Sequence, residues 1–433
     1  MENRYEKYKD SGIAWIGNIP EHWEVKRLKN VSDFNPPNDQ SISNFSEVGY
    51  LPMERLKNGY MLPSVINVYN LTQGLTFFKE NDIVMAKVTP CFENGNIAIA
   101  KNLINNCGFG SSELFIFRVR SINRKYFFYL LQEEKIKEVC KSTMIGTGGL
   151  KRISPTFMRN LLLPIPPILE QQSIATYLDQ KCGEIDELIT LQEEMITKLQ
   201  SYKQSVITEA VTKGLDKNVP LKDSGIEWIG EIPEHWICTV FKKFLSEPMQ
   251  YGANEPAEEC NYNDPRYIRI TDIKDDGTLR DDTFKSLPLE KAKEYMLTKG
   301  DLLFARSGAT VGKTFLYKED YAACFAGYLI KARCNKNELL PNFVFYYTLS
   351  NVYQNWKNSI FIQSTIQNIG ADKYSVMPII IPPLSEQQSI ADYLDRKCSE
   401  IDELISIKQQ KIEKLKDYKK SLIFECVTGK RKV

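Results

Sequence analysis

Histidine is nearly absent from this chain, because its 433 residues include only His22 and His235. With so few, a histidine-based metal site or a Ser-His-Asp triad in each half is nearly excluded. The ten cysteines contain no Cys-X-X-Cys pair, which argues against both a zinc cluster and a disulfide framework. The matching Cys182 and Cys398 are interpreted as small apolar packing residues.

Long apolar runs and a strong net charge are also lacking. No run approaches the ~18 apolar residues of a membrane span, and the first residues, MENRYEKYKDSG, lack the apolar core of a signal peptide. We therefore expect a soluble, cytoplasmic protein without a membrane partner. The net charge of +1, from 56 basic and 55 acidic residues, does not by itself indicate nucleic acid. An apolar content of 42% is enough for two or three domains.

What the sequence does contain is a duplication. The stretch EQQSIATYLDQKCGEIDELI, which begins at Glu170, returns at Glu386 as EQQSIADYLDRKCSEIDELI. Each copy follows a proline pair, and proline is accepted in the first turn of a helix but not in its interior. Apolar residues recur at steps of three and four, which is typical of an amphipathic helix. Some 40 residues at 1.5 Å each form a rod of roughly 60 Å.

Two such rods most simply bury their apolar stripes on each other, although they could also be core helices of separate domains. The first is acidic and the second ends in lysines, which modestly favours pairing within one molecule. The residues predicted to pack between helices or on a partner are Ile185, Leu188, Ile196, Leu199, Tyr202, Ile401, Leu404, Ile412, Leu415 and Tyr418.

A second repeat precedes each half of the chain. The phrase KDSGIAWIGNIPEHW at 9–23 returns at 222–236 as KDSGIEWIGEIPEHW. Its turn residues and tryptophans suit an irregular segment that docks through its large apolar side chains. His22 and His235 each stand between a Pro-Glu turn and a tryptophan, so we interpret them as structural rather than catalytic.

In each half a variable block lies between the phrase and the long helix, at 24–164 and at 237–380. The two blocks share the order of their predicted elements but little sequence identity. Asp82 to Lys87 and Asp301 to Arg306 each predict a buried strand that ends in a basic residue. The sequence predicts an α+β fold, with two similar α/β domains and two long helices that pack on each other. The predicted segments are a first domain at 1–165, a first helix at 166–214, a second domain at 215–381, and a second helix with basic tail at 382–433.

Two loops in each block combine basic, amide and hydroxyl side chains, which suit DNA phosphates and base edges. Because the first loop of each block follows a strand ending in a basic residue, both should project from the same face. The predicted DNA contacts are Lys87, Thr89, Glu93, Asn94, Asn96, Lys151 and Arg152 in the first block, and Arg306, Ser307, Thr310, Lys313, Gln363, Thr365, Gln367 and Asn368 in the second.

Two enzyme-like motifs are incomplete. Gly308 to Thr314 has three residues between its glycines where a P-loop has four, and strand-like residues follow instead of a helix. Asn35-Pro-Pro-Asn38 resembles the Asn/Asp-Pro-Pro-aromatic motif of amino-methyltransferases, but Asn38 replaces the aromatic, and a turn is the better interpretation. The alternatives left open are a self-sufficient adenine methyltransferase and a coiled-coil scaffold without DNA function.

The duplicated combination of SGIAWIGNIPEHW, DIVMAKVTPCFENG with DLLFARSGATVGKT, and PPILEQQSIATYLD resembles the specificity subunit of type I restriction-modification systems over essentially the whole length. This resemblance implies two target-recognition domains separated by an antiparallel coiled coil of the two long helices, in a pseudo-twofold arrangement. Each domain would read one half of a split, asymmetric DNA sequence. It also implies partners: two methyltransferase subunits, which methylate adenine, and restriction subunits, which translocate and cleave DNA. The chain itself would be a non-catalytic adaptor without cofactor or metal, and S-adenosylmethionine, ATP and Mg²⁺ are expected on the partners.

Antiparallel rods would place the phrase at 222 near the end of the first helix and its twin at 9 near the end of the second. A rod of about 60 Å spans at most ~18 base pairs at ~3.4 Å each. Domains attached inboard of its ends would read half-sites about one turn apart. The sequence therefore predicts a gapped target whose gap depends on helix length.

Overall fold

A computed structural model describes residues 4–38, 45–147, 149–257, 261–274, 276–362 and 367–433. The chain divides into two compact units, Met1–Gln192 with Gln410–Val433, and Glu193–Gln409. The predicted segment 1–165 falls in the first unit and 215–381 in the second. Each unit also contains part of both long helices.

The α-helices of the described residues are α1 Leu28–Val31, α2 Arg124–Leu131, α3 Glu134–Ser142, α4 Pro155–Asn160, α5 Ile168–Lys213, α6 Leu289–Ala292, α7 Pro341–Leu349, α8 Asn351–Ile362, α9 Ala371–Ser375 and α10 Leu384–Val427.

The strands of the first unit are β1 Tyr8–Asp10, β2 Asn18–Pro20, β3 Glu24–Arg27, β4 Ser32–Phe34, β5 Glu47–Leu51, β6 Ser64–Asn67, β7 Thr76–Lys79, β8 Ile83–Ala86, β9 Ile97–Ile99, β10 Cys107–Gly110, β11 Leu114–Val119 and β12 Leu162–Ile165. Those of the second are β13 Leu221–Asp223, β14 Glu231–Pro233, β15 Ile237–Val240, β16 Gln250–Tyr251, β17 Arg266–Ile268, β18 Asp301–Ala305, β19 Thr314–Leu316, β20 Ala323–Phe325, β21 Leu329–Arg333 and β22 Pro378–Ile381.

The two long helices begin and end as the sequence predicts. The amide of Gln171 donates to Pro167 O at 3.0 Å and that of Gln387 to Pro383 O at 3.0 Å, so each proline pair supplies the first helical acceptor. Gly214 follows α5 at φ +75° and Gly429 follows the last turn of α10 at φ +74°. This left-handed conformation stops a helix and favours glycine.

The first unit is built on a four-stranded antiparallel sheet with the order β4-β11-β8-β9. A second sheet, β6-β5-β10-β7, contains the parallel pair β5 and β10. The strand β12 pairs with β3 and leads into α5. The helices α2 and α3 pack against this framework with buried residues such as Phe117, Phe127 and Ile136 in one core. Burial of these side chains is the main source of the unit's stability.

The second unit repeats this topology. Its four-stranded sheet has the order β16-β21-β18-β19, β22 pairs with β15 and leads into α10, and β17 pairs with β20 in parallel. A buried salt bridge recurs at the same place: Asp82 accepts from Arg118 at 2.7 Å, and Asp301 from Arg333 at 2.7 Å. The prediction of two similar domains on one scaffold is confirmed.

The long helices run antiparallel within each unit. In the first, Asp186 of α5 pairs with Lys419 of α10 at 2.6 Å, while Tyr177, nearer the start of α5, accepts from Arg431 beyond the end of α10 at 3.2 Å. In the second, Lys203 pairs with Asp402 at 2.7 Å. These two salt bridges join equivalent residues of the repeat, so the antiparallel pairing that the family resemblance implies is confirmed in both units.

The predicted packing residues divide into two groups. Ile185, Ile401 and Ile412 are buried, and Ile196, Leu199 and Leu415 are half-buried. Leu188, Leu404, Tyr202 and Tyr418 are 43, 47, 56 and 51% exposed, so they do not pack between the helices, and their packing on a partner stays a prediction. The buried seam of α5 passes through Ile185 and Gln192, seven residues apart, and leaves Leu188 on one side.

Candidate nucleic-acid interface

Two loops of the first unit meet at one end of its antiparallel sheet. Val88 forms a β-bridge with Arg152, and the amide of Ile153 donates to Lys87 O at 3.0 Å. We call this end the first loop surface, formed by residues 87–96, 110–113, 145–147 and 149–152. The loops that the sequence assigned to DNA therefore lie together, although some 50 residues of chain separate them.

The second unit forms the equivalent end, the second loop surface, from Tyr251 and residues 306–313, 326–328 and 367–369. Ser307 forms a β-bridge with Asn368, and the amide of Ile369 donates to Arg306 O at 2.8 Å. This bond matches that between Ile153 and Lys87. The common placement predicted for the two loops is confirmed in both units.

On the first loop surface, Arg152 is paired with a carboxylate, and the neighbouring Lys141 of α3 is paired with another. Arg152 Nε lies 2.9 Å from Glu113 Oε2, and Lys141 Nζ lies 2.7 Å from Glu93 Oε1. The hydrogen bond from Arg152 lowers the pKa of Glu113, and the same bond raises the pKa of Arg152. Lys87 donates to Ser112 O at 2.7 Å. The Arg152 and Lys87 side chains of this surface are therefore both engaged within the unit, while Lys151 is exposed.

Two predicted DNA contacts of the first block are buried. Thr89 is 8% exposed; its hydroxyl donates to Gly149 O at 2.6 Å and accepts from Lys151 N at 2.9 Å. Asn96 is 9% exposed, and its carbonyl accepts from Ala86 N within the hairpin. Both residues hold loops together, so their prediction as DNA contacts is corrected. Asn94 is exposed.

On the second loop surface, the main cation lies on an aromatic ring. The Arg306 guanidinium carbon is 4.9 Å from the centre of the Tyr251 ring, and its Nε is 3.5 Å from Asn368 Oδ1. The Tyr251 hydroxyl accepts from Ala371 N at 3.0 Å, which fixes the ring. A guanidinium over an aromatic ring can still donate from its remaining N–H groups to a ligand.

The remaining predicted residues of the second block differ in exposure. Gln367 and Asn368 are exposed, and Ser307 and Lys313 are half-buried. Among the described residues Thr310 Oγ1 is buried and has no hydrogen-bond partner, so its hydroxyl does not face outward as predicted. Gln363 and Thr365 lie outside the described residues.

Sequence reasoning missed Glu113 and Tyr251. Glu113 precedes β11 and Tyr251 ends β16, and sheet pairing brings each beside a loop that is far away in the sequence. A carboxylate or an aromatic in a polar turn is a weak signal, because such residues are common on surfaces. Only the strand register identifies their neighbours.

The repeated phrase joins the two long helices within each unit. Glu170, in the first turn of α5, accepts from the Trp23 indole at 2.9 Å and lies 2.6 Å from His22 Nε2. Glu386 of α10 makes the same contacts with Trp236 and His235, at 2.9 and 2.7 Å. A carboxylate at a helix N-terminus is also favoured by the helix dipole. The structural interpretation of both histidines is confirmed.

Each of these tryptophans also lies against the end of the other long helix. An added Cβ would come within 3.2 Å of Trp23 at Gly429, and within 3.1 Å of Trp236 at Gly214. The phrase at 222 thus lies near the end of α5 and its twin near the end of α10, as predicted.

The two incomplete enzyme motifs form a strand-linked turn and a chain turn, as the sequence predicts. Gly308–Thr310 forms one turn of 3₁₀ helix, and the strand β19 follows, so there is no helix N-terminus for a phosphate. Asn35 turns the chain at φ +47°, and its Oδ1 accepts from Ile116 N at 2.8 Å. In the described part of the chain no His, Cys, Asp and Glu cluster could hold a metal ion, and no helix could cross a membrane.

Comparison with known proteins gives a consistent result. The family model for the type I restriction modification DNA specificity domain matches residues 20–200 and 250–417. The EcoAI specificity subunit of Escherichia coli is 30% identical over 223 residues, which cover 50% of this chain but only 36% of that protein. The MjaVIII specificity subunit of Methanocaldococcus jannaschii is 26% identical over 427 residues, covering 96% of this chain and 94% of that one.

Two solved structures share the fold. A chain from a study of complex assembly and conformational transition of the type I R-M system superposes with a TM-score of 0.75 at 17% identity, covering 94% of this chain and 98% of that one. The HsdS subunit from Thermoanaerobacter tengcongensis gives a TM-score of 0.53 at 17% identity, covering 95% and 98%. The predicted two-domain fold class with long helices agrees with both.

Proposed function

The chain belongs to the type I restriction modification DNA specificity domain family, and from that premise we propose that each unit reads one half of a bipartite, gapped DNA target. At the level of the family, the role expected from the sequence is confirmed: the relatives are named as specificity subunits, which recognise DNA and are not catalytic. The finer division into two readers is our proposal.

The observation that carries this proposal is the pair of loop surfaces. Each lies at the equivalent end of the antiparallel sheet of its own unit. Equivalent backbone hydrogen bonds hold them, from Ile153 N to Lys87 O in the first unit and from Ile369 N to Arg306 O in the second. Their side chains differ, with Arg152 bonded to Glu113 in one unit and Arg306 stacked on Tyr251 in the other. Equivalent scaffolds with different polar side chains suit the readout of two different base sequences.

The long helices are proposed to set the gap between the half-sites. α5 has 46 residues and α10 has 44. At 1.5 Å per residue, the longer helix extends roughly 69 Å. This length covers at most ~20 base pairs at ~3.4 Å each. Readers held inboard of its ends would leave a gap within one or two turns of DNA.

We further propose that two identical methyltransferase subunits bind the duplicated helices, and that restriction subunits join through them. The support is a set of exposed apolar residues at equivalent positions of the two helices, which suits two copies of one partner. The pairs are Leu188 with Leu404, Leu191 with Ile407, and Tyr202 with Tyr418. S-adenosylmethionine, ATP and Mg²⁺ would then bind to the partners, and the complex would act on DNA in the cytoplasm.

The test lengthens both long helices by four residues, about one helical turn. One insertion follows the exposed Lys198 of α5, and the other follows the equivalent exposed Lys414 of α10. The expected product is a chain that recognises the same two half-words with a longer gap. Methylation of a randomised duplex library, followed by sequencing, reads both features at once. A changed half-word with the original gap would contradict the proposal, and the matched control is a four-residue insertion in the exposed turn at Asp216.

Two alternative functions predict different experimental results. If the chain were a scaffold without DNA function, neither the chain nor its complex with methyltransferase subunits would bind duplex DNA above the background of those subunits alone. Methyl transfer by the purified chain alone would instead establish the self-sufficient methyltransferase.

A further inference from the structure

Each loop surface contains a left-handed glycine at the same place. Gly95 has φ +71° and Gly312 has φ +84°, and each stands two residues before the strand that returns from the loop, β9 or β19. A residue with a side chain rarely adopts this conformation. The loops share little sequence otherwise, so the common glycine indicates a shared structural requirement.

That requirement is contact with a lysine from the helix that follows in each unit. A Cβ on Gly312 would come 2.3 Å from Lys357 Cδ of α8, and a Cβ on Gly95 would come 3.3 Å from Lys137 Nζ of α3. α8 is also fixed to this glycine by Tyr353, whose hydroxyl donates to Gly312 O at 2.8 Å. In the second unit the lysine stem therefore lies directly on the loop backbone, one turn from the tyrosine that holds it.

The two lysines differ in their counter-charges. Lys137 Nζ lies 3.3 Å from Glu134 Oε2 on its own helix. Lys357 has no salt bridge within the part of the chain that the structure describes, and burial lowers its pKa. Burying part of a cation without a carboxylate is unfavourable unless an anion is supplied. The anion that would approach this surface in the proposed function is a DNA phosphate.

We propose that Lys357, seated on Gly312 and adjacent to Tyr353, binds a phosphodiester of the DNA, and that Lys137 is its weaker counterpart in the first unit. This inference rests on the proposed function of the loop surfaces and adds to it a site on the scaffold rather than on a loop. Because a phosphate carries no sequence information, Lys357 contributes to affinity for any duplex, whereas Arg306 is assigned to base readout. In this proposal the Lys357 ammonium sets how closely the second loop surface approaches the DNA backbone.

The experiment measures DNA affinity as a function of salt for Lys357→Met, which keeps the apolar stem and removes the charge. The probe is a random-sequence duplex of ~40 base pairs, titrated between about 50 and 200 mM salt with the full chain and its methyltransferase subunits. One lost phosphate contact reduces the slope of log K against log salt by about 0.9 and weakens binding at the lowest salt. Lys357→Arg should keep the slope, and Lys137→Met should change it less.

The matched control is Lys318→Met. Lys318 is exposed beyond the end of β19 that lies away from the loop surface, where Tyr317 N donates to Asp301 O. The variant therefore removes one lysine charge from the same unit without altering the loop surface. Its slope should match that of the unchanged protein. If Lys357→Met lowers the unfolding temperature, Lys357→Gln takes its place.

The outcomes separate this inference from the proposed function. An unchanged slope in Lys357→Met, with normal DNA binding by the unchanged protein, overturns the phosphate site alone. Weaker binding with an unchanged slope shows that the ammonium affects the position of the loop without contacting a phosphate, and it also overturns the site. Absence of DNA binding by the unchanged complex contradicts the proposed function, and the phosphate site with it.

Discussion

The two loop surfaces occupy the same place in their units, yet their arginines have different partners. In the first unit Arg152 is paired with Glu113 and Lys141 with Glu93. In the second, Arg306 lies on the ring of Tyr251, and no salt bridge of Arg306 exists among the described residues. A shared backbone therefore does not imply shared binding chemistry: a carboxylate partner reduces the attraction of a cation for DNA, and an aromatic ring does not.

The difference begins at the edge strand of each sheet. Asn35 of the first unit bonds to Ile116, and Gln250 pairs with Lys331 in the second. The residue that follows Gln250 is Tyr251, which continues the strand toward Arg306, whereas Pro36 follows Asn35 and turns the chain away. Proline removes the amide that would continue the pairing. The second unit thus has an aromatic beside Arg306 where the edge segment of the first unit has a proline.

The largest expected effect tests what the units have in common. Trp23 and Trp236 are both 0% exposed, and each bonds to a helix-terminal glutamate, so Trp23→Ala and Trp236→Ala should each cost about 3–5 kcal/mol of unfolding free energy. Chemical denaturation followed by circular dichroism measures the loss. Trp23→Phe and Trp236→Phe, which retain most of the volume, are the controls. Full tolerance of either alanine would mean that the phrase does not hold its unit together.

An intermediate effect separates the two surfaces. Arg306→Ala should lose about 1–3 kcal/mol of DNA-binding free energy and relax only the half-site read by the second unit. Arg152→Ala should lose less, because its guanidinium is already engaged by Glu113. Competition between duplexes mutated in one half-site measures both losses. Equal relaxation of both half-sites by Arg306→Ala would break the distinction between the surfaces.

The smallest expected effect concerns the Glu113 to Arg152 pair. The pKa of Glu113 is lowered by Arg152, so the pair stabilises the folded chain above the carboxyl's unfolded pKa of about 4.3 and loses this contribution as the pH falls through its folded pKa. Because Arg152 is 46% exposed, Glu113→Gln should cost only about 0.2–1 kcal/mol at neutral pH. Unfolding at pH 7 and at pH 3 measures the difference, and an equal cost at both values would contradict it.

The sequence was sufficient for features that depend on local order. The proline pairs predicted the starts of α5 and α10, and duplication with opposite charge predicted that the two helices pair. Their antiparallel direction came from the family resemblance, and the salt bridges Asp186 to Lys419 and Lys203 to Asp402 confirm it. Side-chain burial was harder to predict. Leu188 and Tyr202 belong to an apolar stripe wider than the buried seam, and a stripe alone does not show which edge a neighbour covers.

The loop surfaces show the same limit. Lys87 and Arg306 could be placed at strand ends, because a short apolar run followed by a basic residue marks a buried strand locally. The burial of Thr89 depends on a second loop that returns 60 residues later to accept and donate its hydrogen bonds. The position of Tyr251 beside Arg306 depends on strand register. Contacts between distant segments set both, and no local pattern encodes them.

The central claim is that two separate readers act at a fixed spacing, and mapping N6-methyladenine across the genome of a host that carries this chain and its methyltransferase subunits tests it most directly. The account predicts one asymmetric motif made of two short specified words around an unspecified gap, with the second word alone relaxed in a host carrying Arg306→Ala. A single continuous motif, or relaxation of both words by that substitution, would contradict it.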